Sequence, residues 1–310
     1  MDKTLIQIAR MTEDEARTYL EEIRWPDGPV CPHCGVLDAT RLNGEAHRPG
    51  VLKCNACLQQ FTVTVGSVFE SSHIPLQKWV LAFHLLCSSK KGISSLQLQR
   101  ELDLGSYRTA LFMTHRIREA MSGPLEDALE GTVEMDETYV GGKPRPGDGK
   151  VHKRGRGTSK TPVVAVVERN GKSQSEPVEH VDTETLDAIA NENIDETATL
   201  MTDELSSYHG VGKKFSGGHG IVSHSSGEYV RYANGGAIHT NTAESFFALL
   251  KRGHYGVYHH MSRKHLARYC DEFSFRWDHR SVTDGSRTEA AIAGAAGKRL
   301  TYRQMVGNEA

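Results

Sequence analysis

Two cysteine pairs constrain this chain more than any other feature: CPHCG, then nineteen residues between Cys34 and Cys54, then CNAC. Each CxxC makes a tight knuckle that aims two thiolates the same way, and two knuckles facing each other complete a tetrahedral site for Zn²⁺ from Cys31, Cys34, Cys54 and Cys57. Four sulfurs close the coordination shell and leave no position for a substrate, so this zinc holds a fold and does no chemistry. His33, inside the first knuckle, is not needed as a ligand. The remaining cysteines, Cys87 and Cys270, stand alone in helical stretches. No disulfide framework is expected.

The modules on either side follow from local pattern. Residues 1–28 are read as an N-terminal helical segment, where Thr12 and Glu15 form a capping box and Ala16, Leu20 and Ile23 share a face until Trp25-Pro26 stops the helix. Residues 29–75, turn-rich and ending in the alternating FTVTVGSVF, have the spacing of a zinc ribbon. From residue 76 to 124 the apolar period changes to about 3.6. Within that run, SSLQLQREL and YRTALFMTHRIREAM flank a short turn and read as helix-turn-helix, with Arg108, Arg116 and Arg118 available for DNA; a helical hairpin that only packs has the same pattern.

Net charge becomes informative when divided along the chain. Lys143 to Lys172 holds nine Lys/Arg against Asp148 and Glu168, Lys90 to Arg118 six against Glu101 and Asp103, and Lys251 to Arg268 five against none. Asp182 to Glu204 carries eight acids and no Lys or Arg. Separation of this kind suits a protein that grips a polyanion on some surfaces only. No stretch approaches the ~20 apolar residues of a membrane span, and the N-terminus lacks a signal peptide's apolar core, so a cytoplasmic, nucleoid-associated protein without a membrane partner is expected.

After Pro124 the pattern is α/β. GTVEMDETYVGG, TPVVAVVER and ATLMT read as strands and TETLDAIANENI as a helix. A basic, Gly/Pro-rich insertion near 141–161 reads as a loop that meets DNA through Lys153, Arg154 and Arg156. Asp136 and Asp203 each follow an apolar strand. Glu244 opens a later helix, in HTNTAESFFALLKR, where two readings stand: a capping box with Asn241, or a third converging acid. Converging carboxylates repel unless a cation neutralises them, and Mg²⁺ or Mn²⁺ held by hard oxygens can activate a nucleophile and stabilise a leaving oxygen in phosphoryl transfer. Lys251 lies seven residues, or ~10.5 Å, beyond Glu244 on nearly the same face, placed to meet a neighbouring phosphate, with Arg252 beside it. Glu134 shares the strand face of Asp136, while Glu137 and Glu204 directly follow the two aspartates and should point elsewhere. His209, His219 and His224 match no ligand spacing and are expected on the surface or against DNA.

The wording and order of RWPDGPVCPHCG, CNACLQQFTVTVGSVFESSHIPLQKW, VEMDETYVGGK, TDELSSY and HTNTAESFFALLKR resemble bacterial insertion-sequence transposases of the DDE type with an N-terminal zinc ribbon, the family numbered fifteen-ninety-five in the insertion-sequence scheme. The resemblance runs over nearly the whole chain. It implies a multidomain α+β protein: a zinc ribbon and helix-turn-helix module, then a ribonuclease-H-like α/β catalytic domain over 125–283, then a C-terminal tail, 284–310, expected to be a loose helix or disordered. It implies Asp136 on the first strand of that domain, Asp203 after its fourth and Glu244 on the helix that closes the site, with Lys251 at the family's basic position. It implies recognition of terminal inverted repeats, divalent-metal-dependent hydrolysis and strand transfer into target DNA, and at least a homodimer in synapsis. The competing readings are a non-catalytic zinc-ribbon DNA-binding regulator and a metal-dependent DNA nuclease.

Overall fold

A computed structural model describes residues 2–44, 46–142, 158–233 and 236–307. The chain divides into two compact units, one made of residues 1–122 and 281–310 and the other of 123–280.

The first unit opens with α1 (Leu5–Ala9) and α2 (Glu13–Arg24). The capping box expected at α2 is present, with the Thr12 N–H donating to Glu15 Oε2 at 2.7 Å and the Glu15 N–H to Thr12 Oγ1 at 3.2 Å. Three short antiparallel strands follow, β1 (Ala39–Arg41), β2 (Leu52–Cys54) and β3 (Gln60–Phe61). Three helices come next: α3 (Leu76–Ser88), α4 (Ser95–Glu101) and α5 (Tyr107–Met121). The side chains of Ser94 and Ser106 cap α4 and α5, and Asp103 takes a positive φ of 47° in the turn between them. The short polar side chain of Asp is among the few that tolerate this backbone geometry.

The second unit is a five-stranded mixed sheet covered by helices on both faces. Its strands are β4 (Thr132–Val140), β5 (Thr161–Glu168), β6 (Ser173–Pro177), β7 (Thr199–Thr202) and β8 (His219–Ile221), in the order β6-β5-β4-β7-β8. β4, β5 and β6 pair antiparallel, whereas β7 and β8 run parallel to β4. Val163 to Val167 of β5 are fully buried because helices lie above and below, which is why this strand reads as an unbroken apolar run. On one face, α6 (Thr183–Asn193) and α7 (Tyr208–Val211) pack on Val133, Met135, Val164, Val166 and Leu200. A two-stranded hairpin, β9 (Arg231–Ala233) and β10 (Gly236–Ile238), leads into α8 (Asn241–Gly253), which with α9 (Leu266–Asp278) covers Val140, Val163, Ala165 and Val167 on the other face.

The chain then returns to the first unit. The segment 284–310, expected to be a loose helix or disordered, forms the packed helices α10 (Asp284–Ala293) and α11 (Tyr302–Val306), with Ala291, Ile292, Leu300 and Met305 buried. Thr288 is also buried, its hydroxyl 3.1 Å from His84 Nδ1. Its small apolar residues gain their place by packing on α3, a long-range contact that periodicity does not register. Among the described residues no helix is long and apolar enough to cross a membrane.

Candidate active site and metal centres

The parallel pairing of β4 with β7 aligns Glu134 with Met201, an offset of 201 − 134 = 67 residues. Asp136 and Asp203 differ by the same 67, so they stand level with each other just beyond the carboxyl end of the parallel β4–β7 pairing, Asp136 in the middle of β4 and Asp203 directly after β7. Ligands of open α/β sheets collect at that end. Carboxylate oxygens of Asp136, Glu137 and Asp203 all lie within 4.8 Å of one another. Backbone amides orient the aspartates: the Glu137 N–H donates to Asp136 Oδ1 at 2.8 Å, and the Leu205 N–H to Asp203 Oδ1 at 2.9 Å. The arrangement is electrostatically costly for a protein alone. Burial foremost, then the charges of Glu137, Asp203 and Glu244, pushes the Asp136 carboxyl up to about 8, against the lowering effect of the Glu137 N–H.

Two expectations about neighbouring acids change. Glu137 was expected to face away from the aspartates, yet its carboxylate joins them, held by the hydroxyl of fully buried Tyr208 at 3.0 Å. It lies inside β4, paired with Val164 of β5, but beyond the stretch of β4 that pairs with β7, so no neighbouring strand stands between its carboxylate and Asp203. Glu204 does turn away, accepting from the backbone N–H groups of His224 (2.6 Å) and Ser225 (3.0 Å).

The capping box expected at the start of α8 is not formed. The N-cap residue is Thr240, its side chain caps nothing, and the Glu244 N–H makes the ordinary helical bond to the Thr240 carbonyl. Glu134, 108 residues earlier, does the capping: its carboxylate accepts from the Thr242 N–H (2.6 Å), the Ala243 N–H (3.0 Å) and the Thr242 hydroxyl (2.8 Å). Glu244 is thereby released from a capping duty. Its side chain is 51% exposed, with Oε1 3.7 Å from His224 Nε2, and it lies outside the 4.8 Å group while its charge still helps to raise the Asp136 carboxyl. Lys251 and Arg252 are exposed further along α8, whose buried face is Ala243, Phe246, Phe247 and Leu250.

The histidines also differ from a simple surface reading. His219 Nε2 sits 2.8 Å from Thr202 Oγ1, and His224 Nε2 3.2 Å from Thr240 Oγ1. No spacing rule signals His224, because the strand end and helix start that bring it to Glu244 are non-local.

The four thiols of the first unit converge as expected. Cys31 Sγ is 3.6 Å from Cys57 Sγ, Cys34 Sγ is 3.5 Å from Cys54 Sγ, and all four lie within 4.8 Å. Tetrahedral zinc with bonds of ~2.3 Å sets its sulfurs ~3.8 Å apart, so the donor set fits this ion.

The residues expected to meet DNA separate into three groups. Arg108, at the first turn of α5, is exposed, as is Arg252. Arg116 and Arg118 are 4% and 0% exposed, a correction to their expected role. Both lie on the half of α5 that faces the core. Arg116 donates to the Glu70 carbonyl at 2.6 Å and stacks over Trp79 and Phe112, so its charge serves packing. Lys153, Arg154 and Arg156 lie outside the described residues.

Comparison with known proteins adds independent findings. Residues 128–278 match the model of the ISXO2-like transposase domain, and residues 11–60 match that of the transposase zinc-ribbon domain. A protein of transposable element ISH50 from Halobacterium salinarum is 31% identical over 280 residues, covering 86% of this chain and 91% of its own. Two solved structures are more distant, each 12% identical with a TM-score of 0.26: the Drosophila P element transposase strand transfer complex, covering 67% of this chain and 58% of that one, and a pre-cleavage Mos1 transpososome, covering 97% and 100%. A TM-score of 0.26 is too low for either likeness to bear on fold or function.

Proposed function

Because this chain belongs to the IS1595 family of DNA transposases, we propose that its second unit is a ribonuclease-H-like catalytic domain that cuts phosphodiester bonds at the element's terminal inverted repeats and joins the freed 3′ ends to target DNA. The observation that carries this reading is the level pair Asp136 and Asp203, crowded with a further carboxylate so that one proton is held far above its usual range. Three strands antiparallel and two parallel, with the acids on the central strand and its parallel neighbour, support the fold assignment.

In this reading Asp136, Asp203 and Glu244 hold Mg²⁺ or Mn²⁺, which supplies activation of the attacking water or hydroxyl and stabilisation of the leaving oxygen. The chain's own part is position. The middle of β4 fixes Asp136 and the end of β7 fixes Asp203, α8 brings Glu244 to their edge, and Lys251 and Arg252 bind phosphates beside the reacting one. Arg108 sits where the second helix of a helix-turn-helix meets DNA, at its N-terminal turn. The four cysteines hold zinc and with it the ribbon. Synapsis of two ends calls for at least a homodimer.

The test is to incubate the purified protein with a labelled end sequence, a target plasmid and Mg²⁺. Joined strands are expected. Cuts without joining would make the protein a nuclease, and retention of the end without cutting would make it a regulator; either outcome overturns the proposal.

A further inference from the structure

We propose that Glu134 is the positioning residue of this site, a fully buried carboxylate that fixes the start of α8, and with it Glu244, to the strand that carries Asp136. The inference rests on the metal-site reading above and concerns how that site keeps its geometry.

Glu134 is 0% exposed, and its polar contacts run from 2.6 to 3.0 Å. Besides the two α8 amides and the Thr242 hydroxyl, its Oε1 accepts from Arg169 Nε at 2.6 Å and lies 3.0 Å from His239 Nδ1. Arg169 uses its other nitrogens on the carbonyls of Ala237 (2.7 Å) and His239 (3.0 Å), tying down the segment that leads into α8. One carboxylate and one guanidinium thus determine where the helix begins and how it points. The covalent path is short at both ends: Glu134 is two residues from Asp136 on the same strand face, and its partners Thr242 and Ala243 immediately precede Glu244.

A role in stability alone does not explain this arrangement. A helix start is normally capped from its own N-cap residue at little cost, and Thr240 makes no such bond. Burying a charge is expensive, and a buried ion pair is often no more stabilising than apolar residues of the same volume. What the buried carboxylate adds is direction, since donors converge on it from α8 and from Arg169, whose guanidinium also holds the carbonyls of Ala237 and His239. Groups that orient metal ligands in this way commonly change metal affinity by ~10–100-fold when altered.

The test measures Mn²⁺ binding by titration calorimetry on the full-length protein bound to its end DNA, in wild type, Glu134→Gln, Glu244→Gln and the double variant, with melting temperatures alongside. Glu134→Gln should weaken Mn²⁺ binding on the order of tenfold. The double variant should be no more than about threefold weaker than Glu244→Gln alone, because a displaced Glu244 has nothing left to lose. Thr242→Val, which removes one of the five contacts at constant shape, should move Mn²⁺ affinity the same way by a smaller factor and covers the case in which Glu134→Gln does not fold. Losses that multiply in the double variant, or wild-type Mn²⁺ affinity in Thr242→Val or in folded Glu134→Gln while Glu244→Gln is weakened, would overturn the inference. Wild-type affinity in Glu244→Gln itself would instead remove the metal-site reading.

Discussion

Asp136 keeps its proton under conditions where an ordinary aspartate has lost it, and this has a measurable sign. Its carboxyl is raised from an ordinary 3.8 to about 8 by burial, then by Glu137, Asp203 and Glu244. The folded state therefore binds this proton more tightly than the unfolded chain does, so its stabilising contribution is complete below pH 3.8 and is lost as the pH rises to about 8. Metal-free protein should lose melting temperature through that window. Asp136→Asn should flatten the dependence, and added Mg²⁺ at the alkaline end should restore stability to wild type but not to the variant. An equal slope in Asp136→Asn and wild type would show that crowding at this carboxylate is not what destabilises the site.

At the scale of single elements, sequence pattern and structure agree where the signal is local. The α2 capping box, the buried strand β5 and the knuckle cysteines were all legible, since each depends on residues a few positions apart. The α8 start was not. HTNTAE has the letters of a capping box, but Glu134 satisfies the same amides from another strand, and no local rule can see a partner 108 residues away. Strand β6 was missed for a related reason: SQSEP is polar, yet Ser173 and Ser175 are buried, with Ser175 Oγ 3.1 Å from Ser274 Oγ on α9. Helix α5 shows the limit of reading charge as surface. Its period correctly gives the helix but not which arginines face the core. Arg108→Ala should therefore weaken binding of end DNA and reduce its salt dependence by about one unit of slope, with little effect on melting. Arg116→Ala should do the reverse, lowering the melting temperature through lost packing on Trp79 and an unpaired Glu70 carbonyl. Equal effects on melting would contradict the division of this helix into an exposed start and a buried end.

For the whole molecule, the two candidate ion sites lie in different units. The thiol cluster lies in the unit formed by residues 1–122 and 281–310, and the acidic cluster in 123–280. Structural zinc supplies folding free energy directly. Cys31→Ser or Cys54→Ser should therefore release the zinc and lower the melting transition of the first unit, leaving the Mg²⁺-dependent shift of the second in place; a retained zinc in both variants would contradict the four-sulfur site. In the proposed reading Asp136, Asp203 and Glu244 share a divalent ion while the chain holds DNA. The most direct measurement is anomalous diffraction from Mn²⁺ in crystals of the protein with its end sequence. The expected result is an anomalous peak bounded by Asp136 and Asp203 oxygens at ~2.0–2.2 Å, with a Glu244 oxygen in the same coordination shell. A well-occupied Mn²⁺ peak that leaves either aspartate or Glu244 unligated would contradict it.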